Sequence, residues 1–125
     1  MTRLALDLGN TSLKAAWFEP GALAPSRTLR CDAGALDERT RWLKALLDAE
    51  PEGAQPVACS VVPGLTDWLR QDGRAHVATP RDGWRWPARQ GEGVEGMGAD
   101  RFFAACGAYA RANRACVALT VGTAT

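Results

Sequence analysis

The chain has 125 residues, 46% of them hydrophobic and 23% charged, with a net charge of +1. That suits one globular domain of ordinary size and argues against bulk attraction to nucleic acid or to an anionic membrane surface. No apolar run approaches the ~20 residues a membrane helix requires.

The chain opens on an apolar run, Leu4, Leu6 and Leu8, followed by Gly9 and Asn10 and a second run, Leu13 to Phe18. Two such runs split by a Gly-Asn turn predict a β-hairpin. Asp7 interrupts the first strand. A carboxylate among apolar residues is costly to desolvate unless a cation or several donors meet it. Thr11, Ser12 and Lys14 add two hydroxyls and an ammonium beyond the turn. These are components of a phosphate and Mg²⁺ site, although alone they also suit a plain turn with a solvated lysine.

Glu19-Pro20-Gly21 predicts a second turn, and residues 27–31 a third strand. Leu36, Leu43, Leu46 and Leu47 share one face at helical spacing, which predicts a helix over about 36–50, ended by Pro51. Val57 to Val62, between two prolines, reads as a buried parallel strand. A short helix over 65–70 and a strand over 75–78 complete a β-α-β unit. Residues 80–96, rich in Gly and Pro and carrying Trp84 and Trp86, read as an irregular loop. From Gly98 a second helix presents Phe102, Phe103, Cys106, Tyr109 and Ala110 on one face. Arg111 and Arg114 suit its C-terminal dipole. Cys116 to Val121 reads as a last strand, leading into Gly122-Thr123-Ala124-Thr125.

The four cysteines form no Cys-x-x-Cys pair, and His76 is the sole histidine, which disfavours a zinc site. Cys31, Cys59, Cys106 and Cys116 read as small core residues of a cytosolic protein. The N-terminus runs straight into a strand, with no basic-then-apolar leader.

Three stretches line up: Asp7-x-Gly9-Asn10-Thr11-x-x-Lys14, Gly98-Ala99-Asp100-Arg101, and the end at Gly122-Thr123-Ala124-Thr125. In this order and spacing, with Ser60-Val61-Val62-Pro63 between, the chain resembles the type III pantothenate kinases. These belong to the acetate-kinase, sugar-kinase and actin superfamily. The resemblance implies an α/β fold, a ribonuclease-H-like (actin-like ATPase) domain whose mixed sheet starts with the antiparallel hairpin.

It also implies ATP-dependent phosphorylation of pantothenate, the first step toward coenzyme A, in a cytoplasmic homodimer that binds neither nucleic acid nor membrane. By resemblance, Asp7, Leu8, Gly9, Asn10, Thr11, Ser12, Leu13 and Lys14 form the first phosphate motif, with Asp7 holding Mg²⁺ through water. Gly98, Ala99, Asp100 and Arg101 form the pantothenate motif, with Asp100 as general base. Thr123 contacts ATP from the second phosphate motif. Thr120 stands where the family has the Asp tied to a monovalent cation, K⁺ or NH₄⁺, and a hydroxyl brings no negative charge to that position. The resemblance matches the first half of such an enzyme. Residues 1–125 are thus expected to form its N-terminal lobe, ending at the second phosphate motif without the second lobe, and to be incomplete or inactive alone. The alternative is a degenerate homologue acting as an accessory regulatory protein.

Overall fold

The computed structural model describes residues 1–32, 34–80 and 98–119. Five strands form one sheet: β1 (Arg3–Leu8), β2 (Ser12–Phe18), β3 (Arg27–Asp32), β4 (Val57–Ser60) and β5 (His76–Val77). Three helices accompany them: α1 (Leu36–Ala49), α2 (Pro63–Asp72) and α3 (Ala99–Ala112). The sheet order is β3-β2-β1-β4-β5. β1, β2 and β3 form an antiparallel meander, and β4 and β5 join parallel to β1. This is the mixed α/β sheet expected from the hairpin followed by a β-α-β unit.

Strand alternation separates the two faces of the sheet. Leu4, Leu6 and Leu8 pair with Trp17, Ala15 and Leu13 and face one way. They form the core with Ala58, Leu43, Leu46 and Leu47 of α1 and Leu65 and Leu69 of α2. Burial of each such leucine contributes on the order of 2 kcal/mol. α2 starts with Pro63 in its first turn and ends at Gly73, which adopts φ 77°, a left-handed cap that glycine takes without strain. α3 lies beside β4. Its Phe102 and Cys106 are buried, and Phe102 and Phe103 meet edge to face at 5.2 Å.

Three expectations need correction. Leu36 is 52% exposed and does not join the helical stripe; Arg39 takes the inward position instead, at 8% exposure. Leu36 sits at the start of α1, where its methyl groups lie over Gly64 of α2 rather than beneath the sheet. Residues 115–119 form no strand, and Val117 and Leu119 are 87% and 86% exposed. A strand exists only through its ladder, and these residues pair with no strand among the described residues. For the same reason Cys116 is exposed rather than a core residue, and only Cys106 of the four is fully buried. Trp84 and Trp86 and residues 120–121 of the expected last strand lie outside the described residues.

Candidate functional site

The open face of the sheet collects the polar residues. β1 turns Asp7 away from the leucine core, and the strand registers extend that position sideways. Lys14 of β2 stands opposite Asp7, Arg30 of β3 opposite Lys14, and Cys59 of β4 opposite Asp7 on its other side. One residue from each of four adjacent strands therefore forms a row, Arg30–Lys14–Asp7–Cys59, about 14 Å long at the usual strand spacing. The first turn of α3 brings Asp100 to this row. A cleft of about 790 Å³ lies here, lined by these five residues and by apolar ones including Ala5, Ala16, Phe18 and Phe103.

The electrostatics follow from that placement. The Asp7 carboxyl is pushed above its ordinary range, first because the cleft walls strip away part of its water. The Lys14 ammonium opposes this shift, and the Asp100 carboxylate adds to it. The Cys59 thiol is pushed up to about 12 by burial, then by the charges of Asp7 and Asp100. It is thus a neutral group at physiological pH and a poor nucleophile. Two carboxylates from positions far apart in the chain thus meet in this cleft, and the charge of each is felt by the Cys59 thiol. Such a concentration of negative charge, incompletely solvated, is suited to a divalent cation. No three His, Cys, Asp or Glu side chains among the described residues are placed to hold a metal ion together. A cation held here would complete its shell with water and phosphate oxygens, which is how Mg²⁺ is usually bound.

The turn from β1 to β2 closes through the Gly9 N–H, which donates to the Ser12 carbonyl at 3.0 Å. A Cβ on Gly9 would come within 3.2 Å of that same carbonyl oxygen, so the tight turn favours glycine. At the other motif, Gly98 caps α3, its carbonyl accepting from the Arg101 and Phe102 amides at 3.1 Å each. A Cβ on Gly98 would crowd the Asp100 carboxylate at 2.7 Å, so glycine leaves that carboxylate its place.

The comparisons with known proteins bear on this arrangement. A family model for type III pantothenate kinase matches residues 3–125. The chain belongs to the type III pantothenate kinase family. No curated protein matches it.

Within this family member, the structure brings together some of the predicted residues and separates others. Asp7, Lys14 and Asp100 share the cleft. Leu8 and Leu13 are fully buried in the core on the opposite face, so only their backbones are available to a ligand. Ser12 is buried, whereas Asn10 and Thr11 are exposed at the turn. Gly98 is exposed and Ala99 half-buried at the head of α3. Arg101 is exposed and is not among the cleft-lining residues. Asp100, Phe103 and Ala104 share one helical face, and Arg101 lies about 100° round the axis from Asp100. Thr120 and Thr123 lie outside the described residues.

Three residues escaped the sequence reading. Cys59 and Arg30 join the cleft through strand register, which the sequence does not display. Arg39 was legible in principle: it lies four residues before Leu43, on the stripe that faces the core. Its guanidinium donates from Nη2 to the Asn10 carbonyl at 2.7 Å and from Nη1 to the Gly9 carbonyl at 3.4 Å.

No helix of the described residues is long and apolar enough to cross a membrane.

Proposed function

We propose that this protein transfers the γ-phosphoryl group of ATP to the primary hydroxyl of pantothenate. The observation that carries this reading is the meeting of Asp7 and Asp100 on the wall of one cleft, where the Asp100 charge reaches Asp7. Phosphoryl transfer to an alcohol needs little covalent help from the protein; it needs positioning and charge compensation. Asp7 would hold Mg²⁺ through water, and Lys14 would offset phosphate charge. Mg²⁺ supplies neutralisation of the charge that develops on the phosphate oxygens.

Asp100 accepts the hydroxyl proton as the alcohol oxygen bonds to phosphorus and the bond to the ADP oxygen breaks. Gly98 and Ala99 give the pantothenate side of the cleft its backbone, and Arg101 offers a planar fork to the substrate carboxylate at the rim. Leu8 to Leu13 contact ATP through backbone and hydroxyl groups, and Thr123 completes the phosphate site. A monovalent cation near Thr120, a second copy of the chain as partner and a cytoplasmic setting belong to the same reading, on family membership. Residues 1–125 make one lobe of the enzyme. The strand order, with β2 antiparallel to both neighbours, supports a ribonuclease-H-like assignment.

The test is ADP release by the full chain with ATP, Mg²⁺ and pantothenate. Asp100→Asn should lower kcat by about 10²–10⁴-fold, the usual contribution of a positioned base, while ATP affinity is kept. Pantothenate-dependent ADP release at the wild-type rate in Asp100→Asn would remove Asp100 from the chemistry. Residues 1–125 alone are expected to turn over little or not at all, so the assay is run with both lobes present, and no such release from that two-lobed form would end the proposal.

A further inference from the structure

We propose that Arg39, on the core side of the sheet, is a positioning residue that aims the backbone amides of Asn10 and Thr11 at the phosphates of the nucleotide. The proposal rests on the kinase reading above and adds to it a residue from outside both phosphate motifs.

The geometry is that of two successive peptide units. The Gly9 carbonyl belongs to the same peptide group as the Asn10 N–H, and the Asn10 carbonyl to the same group as the Thr11 N–H. All described peptide bonds are trans. In a trans peptide the C=O and N–H point in opposite directions. Arg39 draws both carbonyls toward α1, at 3.4 and 2.7 Å. The Asn10 and Thr11 N–H vectors must then point away from α1. Two consecutive outward amides beside Lys14 form a small concavity suited to an anion.

The character of Arg39 agrees with this role. It is 8% exposed, and its Nε has no partner among the described residues. Its hydrogen bonds to the described residues go to carbonyls rather than to a carboxylate, so no described residue cancels its positive charge in an ion pair. A partly unsatisfied guanidinium held out of water costs the fold free energy. A fork that spans two adjacent carbonyls is something that guanidinium provides and a lysine ammonium does not. The same uncancelled charge, directly behind the turn, adds to the attraction for phosphate.

The experiment uses the full chain. Arg39→Met keeps the stem and removes the donors; Arg39→Lys keeps the charge and loses the fork. Arg39→Met should raise KM for ATP about tenfold, the scale of one lost charge-assisted hydrogen bond, and leave KM for pantothenate within about twofold. Arg39→Lys should recover only part of the loss. Amide hydrogen exchange supplies a readout apart from activity: ATP–Mg²⁺ should slow exchange at Asn10 and Thr11 about tenfold or more in wild type and much less in Arg39→Met, whose amides are no longer aimed at the phosphates.

A folded Arg39→Met with unchanged KM for ATP, or with the wild-type slowing of exchange by ATP–Mg²⁺ at those amides, overturns the proposal. If that variant does not fold, Arg39→Lys decides it in a titration with ATP–Mg²⁺ followed by ¹⁵N shifts. Shifts at Asn10 and Thr11 much smaller than in wild type support the anchor, and shifts of wild-type size refute it. Wild type that binds no ATP overturns the kinase reading itself, whereas wild-type protection of these amides by ATP–Mg²⁺ in Arg39→Met overturns the anchor alone.

Discussion

Two leucines on α1 give the sharpest contrast between sequence pattern and packing. Leu36 and Leu43 are seven residues apart, almost two turns, and lie on the same nominal stripe. By pattern alone their truncations should cost the same. In the structure Leu43 is 0% exposed and Leu36 is 52% exposed. Leu43→Ala removes methyl groups from a closed core shared with β1 and β2, and such cavities cost about 3 kcal/mol. Leu36→Ala removes a side chain already half in water, whose remaining contact is with Gly64, and should cost about 1 kcal/mol. For a domain of this length 1 kcal/mol corresponds to about 3–5 °C in Tm. The expected losses are therefore about 10–15 °C for Leu43→Ala and about 3–5 °C for Leu36→Ala. Thermal unfolding followed by circular dichroism at one pH measures both. Equal losses, or a larger loss for Leu36→Ala, would show that α1 docks in another rotation and would take the inward Arg39 with it.

Other outcomes follow from the charge distribution. Because burial holds the Asp7 carboxyl above its usual range, the fold favours its protonated form. The stability tied to that proton is full below the ordinary carboxylate pKa and is lost as pH rises through the raised value. Asp7→Asn should thus melt higher than wild type at pH 7 without ligand, and ATP–Mg²⁺ should no longer stabilise it; a lower apo Tm would contradict the desolvation argument. Cys59, with its thiol near 12, should be alkylated far more slowly at pH 8 than the exposed Cys116, and Asp100→Asn should speed its labelling by removing one repelling charge. Peptide mass spectrometry resolves the two sites, and equal rates would refute the placement of Cys59 between the two acids.

Much of the fold was legible because local chemistry and tertiary structure agree. The hairpin strands fall within a residue of the apolar runs, and α1 ends at Ala49, one residue short of the expected end at 50, ahead of Pro51. Asp7 stood out as the one acid in an apolar strand, and Asp100 as the acid heading α3. What could not be read depends on contacts between distant segments. Arg39 lies on the inward stripe of α1, but pattern reading alone assigns charges outward and gives no reason to bury it. Its burial requires two carbonyls supplied from thirty and twenty-nine residues away. Arg30 and Cys59 enter the cleft only through register. Residues 116–119 have strand composition and no ladder among the described residues, since β-propensity describes a surface to be paired and does not provide the partner.

The four-residue connection between Leu8 and Leu13 has a consequence for how the chain tolerates length changes. One residue added there would slide β2 against β1 and exchange its two sets of side chains. Lys14 would turn toward the leucines, and Leu13 or Ala15 would take its place beside Asp7. The stretch from Pro51 to Pro56 is under no such constraint: it joins a helix to a strand whose place is set by neighbours on both sides, so residues can be inserted there without moving Cys59 from its row. Indel scanning of the gene should therefore find one short loop intolerant and the other permissive, although both are exposed turns of similar size.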